Sequence, residues 1–140
     1  MKQWTFTNTE TTTATPEAIW RRWTNVTGWP EEDTNLVSAE LQDDFAIGGK
    51  IIMKPKGAPK SSVKIVEMTP NVSFSTEGTI PLGKLIITHN VEATSGRTSF
   101  THTITVTGPL RKLFVRMVVQ KLANNLPVKM KNIARLAESA

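Results

Sequence analysis

The side chains able to do chemistry in this chain are few. Its 140 residues include two histidines and no cysteine. Without cysteine there are no disulfides, thiolate metal sites or thiol nucleophiles, and the composition suits a reducing cytoplasm. The acid/base and ligand-contacting potential rests on His89 and His102. Along residues 84–94, Leu85, Ile87, His89, Val91 and Ala93 share one parity, and Thr88, Asn90 and Glu92 the other. Along residues 97–107, Phe100, His102, Ile104 and Val106 alternate with Thr101, Thr103, Thr105 and Thr107. Both are the period-two pattern of a half-buried strand, which puts both histidines on the apolar face. Ser95-Gly96 reads as a two-residue hairpin turn. That turn pairs residue 94 with 97 and sets His89 directly opposite His102, with Cβ atoms about 4.5–5.5 Å apart.

Burial would lower both histidine pKa values, and mutual repulsion would stop both from charging together. Three uses of the pair stay open. It could be a neutral core pair satisfied by a mutual hydrogen bond or a water. It could line a ligand cavity, with general acid/base work included in that reading. It could hold a metal, but two imidazoles are too few ligands and Glu67 is the one obvious third. We expect neither a metal nor a cofactor. Trp29 is a further candidate, as a ligand contact or as a hydrophobic plug. Met53, Phe74, Phe100, Phe114 and Met117 fall on inward faces and would line any void there. Gly48-Gly49 lacks the context of a phosphate-binding loop and reads as a turn or bulge. No serine aligns with either histidine, so triad chemistry is not indicated.

The elements that must position these residues follow from the same patterns. Trp4 and Phe6 alternate with Thr5, Thr7 and Thr9, giving a first strand over 4–13. Thr15 is a good helix cap and Pro16 suits the first helical position. Ile19, Trp23 and Val26 then recur at helical spacing, with Trp20 widening the stripe. Thr27 to Asp33 reads as a second short helix or a tight bend, with Pro30 expected to push Trp29 out of helical geometry. Six more strands follow at 35–42, 49–55, 61–68, 72–79, 84–94 and 97–107. Their short links leave no room for a crossover, so the sheet is an antiparallel meander. After Gly108-Pro109, a long helix is expected. Its apolar stripe is Leu110, Leu113, Phe114, Met117, Val118, Leu122, Leu126, Met130, Ile133 and Leu136, and Pro127 is expected to kink it.

Seven antiparallel strands must bury one face, and only the C-terminal helix is large enough to cover it. The expectation is an α+β, helix-grip fold in a single domain over residues 1–140. A curved seven-stranded sheet, two short helices and one long C-terminal helix would leave space between sheet and helix. No run of 18 apolar residues exists, and the polar start MKQWTFTNTE carries no sign of a signal peptide. The formal charge of +5 is concentrated in residues 110–140, with seven Lys/Arg and one Glu. Arg111, Lys112, Arg116, Lys121, Lys129, Lys131 and Arg135 mostly lie off the apolar stripe. That pattern fits a solvated helix face, or docking on an anionic membrane. It lacks the exposed aromatics and motifs of a nucleic-acid binder.

Several short motifs, in this order, carry a family resemblance. They are Pro16-Glu17-Ala18-Ile19-Trp20, the Trp29-Pro30 turn with Asp33, Gly48-Gly49-Lys50, His89, Gly108-Pro109-Leu110 and Leu126-Pro127. Together they resemble polyketide cyclase/dehydrase-like members of the START/Bet v 1-like superfamily over essentially the whole chain. In that family the Trp-Pro turn is usually followed by an aromatic and an acid; Glu31-Glu32-Asp33 keeps the acid and lacks the aromatic. The resemblance implies a central cavity for a small hydrophobic molecule. It places Trp29 over the cavity mouth and implies carriers as well as cyclase- or dehydratase-like enzymes, for which His89 and His102 would be the acid/base groups. A lipid-handling protein docking by its basic helix is the other alternative. The expected partners are a small hydrophobic molecule and no nucleic acid, with the protein a monomer or homodimer.

Overall fold

The computed structural model describes residues 3–139; residues 1, 2 and 140 of the expected domain lie outside it. Seven strands form one antiparallel sheet: β1 (Gln3–Thr12), β2 (Leu36–Leu41), β3 (Lys50–Pro55), β4 (Ser61–Thr69), β5 (Ser73–Ile80), β6 (Gly83–Thr94) and β7 (Arg97–Thr107). Their spatial order is β1-β7-β6-β5-β4-β3-β2. Six strands form the expected meander, and β1 returns to pair with β7 at the far edge. The expected strands match the observed ones to within a residue or so at each end, because period-two patterning and Gly/Pro punctuation dominate here.

Between β1 and β2 the chain crosses the concave face through α1 (Pro16–Thr24), a 3₁₀ turn (Val26–Gly28) and α2 (Trp29–Glu32). The Thr15 hydroxyl caps α1 by accepting from the Ala18 N–H at 3.1 Å, and Pro16 occupies the first helical position. Trp29 is itself helical, at φ −57° and ψ −35°. The expected exclusion by Pro30 is overridden, since the Trp29 indole N–H donates to the Trp23 carbonyl at 3.0 Å and fixes the turn.

Two bulges, between Leu36 and Ser38 in β2 and between Ile65 and Glu67 in β4, bend the sheet. The Ser95-Gly96 hairpin has positive φ at both residues, 45° and 81°, as a two-residue type I′ turn requires. Gly108 lies so close to the Leu82 carbonyl that a Cβ there would be 2.5 Å from its oxygen, so the last helix starts hard against the β5–β6 turn.

The chain is helical from Arg111 to Glu138: α3 (Arg111–Phe114), a π turn (Val115–Val119) and α4 (Gln120–Glu138). A π turn interrupts the α geometry at Val115–Val119, and Pro127 lies inside α4. The buried face of the helix is Val115, Val119, Ala123, Leu126, Met130, Ile133, Ala134 and Ala137. The N-terminal half of the expected stripe is therefore corrected. Leu110, Leu113, Met117, Val118 and Leu122 are exposed, Met117 at 68%. The wide π turn and the smaller Val and Ala side chains let a neighbouring line of residues approach the core instead. Among the described residues no helix is long and apolar enough to cross a membrane.

Candidate functional site

Hairpin register places His89 opposite His102 on the concave face, as the turn chemistry requires. The next strands place Phe74 beside His89 and Asn8 beside His102. Helix α1 lowers Trp23 onto this row. The Trp23 ring centroid is 5.5 Å from His89, 5.7 Å from His102, 5.6 Å from Phe74 and 6.4 Å from Phe100. Phe74 stacks on His89 at 3.9 Å with an 8° interplanar angle. The two imidazoles meet edge to face at 4.4 Å.

The histidines are satisfied unequally. His89 Nδ1 lies 3.2 Å from the Phe74 carbonyl oxygen. A carbonyl only accepts, so Nδ1 carries the proton and Nε2 is left as an acceptor. His102 is 1% exposed, and neither of its ring nitrogens has a partner within the protein. The Trp23 indole N–H is likewise buried and unpartnered. Burial pushes His89 down to about 3, with a further lowering from the Lys129 ammonium and an opposing effect of the Phe74 carbonyl. Burial also holds His102 well below the ordinary histidine range, reinforced by His89 and then Lys129. Both rings are neutral at pH 7, each with one donor and one acceptor.

A second polar cluster lies where α2 meets α4. Glu32 is buried, and its Oε1 is 3.9 Å from Arg22 Nη2 while Oε2 has no partner. Burial raises its pKa to about 7 against the lowering effect of Lys129 and Arg22. Asn132 donates to the Glu32 carbonyl, and Asn125 donates to Asp33 Oδ1. Lys129 Nζ stands 5.9 Å above the Trp29 ring. Trp29 itself is buried against Trp23, an arrangement that seals this end of the core. Sequence reading put Trp23 in a core stripe, Glu32 in a turn and Lys129 on a solvated face. Only contacts between distant segments set Trp23 on the histidines and bring Lys129 near both the histidines and Glu32.

Of the other candidates, Phe74 and Phe100 are fully buried around the pair, and Met53 is half-buried against the core. Phe114 is half-buried, while Met117 faces outward and leaves the site. Glu67 is not a third metal ligand. The β4 bulge turns it to the convex face, where the Ser73 and Ser75 hydroxyls donate to its carboxylate. No cluster of three metal-ligating side chains occurs among the described residues.

The space expected between sheet and helix is filled by aromatic rings at the histidines. Two shallow hollows of about 310 and 270 Å³ lie elsewhere and touch neither histidine. Toward the other end of the concave face, the inward Met53, Val63, Ile80, Leu85 and Ile87 are only half-buried while still packing on the core.

A curved antiparallel sheet gripping a long C-terminal helix, with its polar groups buried on the concave face, defines the helix-grip class. The chain belongs to the family described as polyketide cyclase / dehydrase and lipid transport, whose model matches residues 3–138. No curated protein sequence matches it. Among solved structures it is similar to an aromatase/cyclase from a Streptomyces species, with TM-score 0.80, 12% identity and 98% and 94% of the two chains covered. It is also similar to norcoclaurine synthase from Thalictrum flavum in complex with dopamine and hydroxybenzaldehyde, with TM-score 0.75, 14% identity and coverage of 99% and 88%. A protein from Mesorhizobium loti has TM-score 0.79 and 15% identity over 98% of both chains. At these identities the likeness is one of fold. Family and fold are consistent with holding a small hydrophobic molecule, and they assign no reaction to this chain.

Proposed function

We propose that this protein binds a small, largely apolar molecule carrying one hydrogen-bonding group, on the concave face of the sheet. The polar group meets His102 and His89, and the apolar body lies toward Met53, Val63, Ile80, Leu85 and Ile87. The observation that carries this reading is His102, buried with both ring nitrogens unpartnered beside a second imidazole. A buried polar group without a partner costs about 1–3 kcal/mol, and a ligand hydroxyl or carbonyl oxygen removes that cost. The depressed histidine pKa values favour hydrogen bonding over proton transfer, because a general acid or base works best with a pKa near the working pH. Trp20 and Phe45 pack edge-on against Phe74 at ring-centroid distances of 6.1 and 5.0 Å, so entry at the histidine end requires one of these three rings to change rotamer. The reading includes a cytoplasmic location, suited to the lack of cysteine.

The test compares 2-naphthol with naphthalene, following tryptophan fluorescence as each is titrated into the protein. Saturable binding with about tenfold preference for the naphthol is expected, the worth of one good hydrogen bond. His102→Leu should erase the preference while leaving naphthalene binding in place. Equal binding of 2-naphthol by the wild type and a folded His102→Leu variant would mean that the pair is only core.

A further inference from the structure

We propose that the outward face of the N-terminal half of the last helix is a docking surface for an anionic lipid bilayer. Among the described residues ten large hydrophobic side chains are exposed, and five of them fall between Leu110 and Leu122. Val37, Ile47, Val72 and Val128 stand singly and need no explanation. Leu110, Leu113, Met117, Val118 and Leu122 are different. Leu110, Leu113 and Met117 recur at spacings of three and four, Val118 and Leu122 lie four apart, and the two lines together make the solvent side of the helix, away from the buried line Val115, Val119 and Ala123.

A second chain segment meets the stripe at its start. Leu82 is 77% exposed at the tip of the β5–β6 turn, and its carbonyl abuts Gly108. Two apolar segments are thus displayed at the same end of the molecule.

Charge identifies the occupant. Residues 108–137 contain no acid. Arg111, Lys112, Arg116 and Lys121 are interleaved with the apolar stripe, and none of them enters an ion pair among the described residues. A second copy pairing through this face would set these cations against their own equivalents, an unfavourable arrangement. A bilayer rich in anionic headgroups offers the complement. Lys and Arg stems reach the phosphates while Leu and Met sink into the acyl boundary, the composition of an interfacial amphipathic helix. The face is independent of the concave site.

The test is flotation of the full chain with two vesicle types: phosphatidylcholine alone, and phosphatidylcholine mixed with phosphatidylglycerol. Binding to the mixed vesicles only, falling steeply as salt is raised, is expected. Leu113→Ser combined with Met117→Ser should weaken binding at least about tenfold, and so should Arg116→Glu combined with Lys121→Glu. All four positions are exposed or near the surface, and matching thermal melts would show that the fold is retained. No flotation with the mixed vesicles overturns the proposal. So does flotation that survives Leu113→Ser with Met117→Ser, since the apolar stripe would then be idle. A concentration-dependent dimer abolished by the same pair, without flotation, assigns the face to a second copy and also overturns it.

Discussion

Met130 and Met117 stand on one helix, yet Met130 is fully buried and Met117 is 68% exposed. Around Met130, α4 packs on β1, α1 and α2, and the Asn8 amide approaches the Met130 sulfur at 3.2 Å. Around Met117, the helix makes a π turn and leaves its large side chains in solvent. The concave face shows the same gradient. Trp23, Phe74, His102 and Phe100 are sealed at one end, and Leu85, Ile87 and Ile80 are half-open at the other. Small residues explain the tight half. Ala123, Ala134 and Ala137 let α4 sit close to its neighbours. One end of this molecule is a closed core, and the other leaves large apolar side chains in solvent.

Removing side chains from each half gives the largest expected difference. Met130→Ala should cost about 2–5 kcal/mol in urea unfolding, while Met117→Ala should stay within about 0.5 kcal/mol. Equal costs would mean that the two halves are packed alike.

The closed end also carries the titrations. Glu32 has a folded pKa of about 7 against an ordinary 4.5. A raised pKa means that the folded state binds the extra proton, so stability is lost as pH rises through about 7. Glu32→Gln should therefore gain about 3 kcal/mol more, relative to wild type, at pH 8 than at pH 4. A pH-independent difference would show that Glu32 is solvated and the seal at α2 is open.

The histidines act in the opposite direction. Their folded pKa values are lowered, so their contribution is present above the ordinary value of 6.5 and lost as pH falls below it. Across that acid range, His102→Phe should make the fall shallower by up to about 1.4 kcal/mol per pH unit, measured by chemical denaturation. An unchanged slope would place water at the pair. The smallest effect belongs to the element that delivers Trp23. Thr15→Ala removes the α1 cap and should lower stability by about 1 kcal/mol, read from the thermal midpoint.

Much of this was legible residue by residue. The facing of His89 and His102 follows from two alternating runs and a two-residue turn, because side-chain parity in a strand leaves no freedom once the hairpin is set. Met117 was misplaced for a reason equally physical. The last helix carries apolar residues on two sides, Leu113, Met117, Val118 and Leu122 on one and Val115, Val119 and Ala123 on the other, and periodicity cannot say which side meets the sheet. The local proline rule puts Trp29 outside helical geometry, and the Trp23 carbonyl, six residues away, overrides it by accepting from the Trp29 indole. The cluster of Glu32, Arg22, Asn125 and Lys129 was invisible, since Asn125 reaches Asp33 across 92 positions of sequence.

The sequence by itself determined the strand order of the meander, the parity of each strand, the caps and turns, and the concentration of positive charge at the C-terminal end. These depend on neighbours a few residues away, where patterning and backbone preference act directly. Tertiary structure alone decided which stripe of the last helix is buried, that aromatic rings fill the space at the histidines, and that His102 is left without a hydrogen-bond partner. Those outcomes depend on the volume remaining once α1, α4 and the sheet have packed, and no local pattern records it.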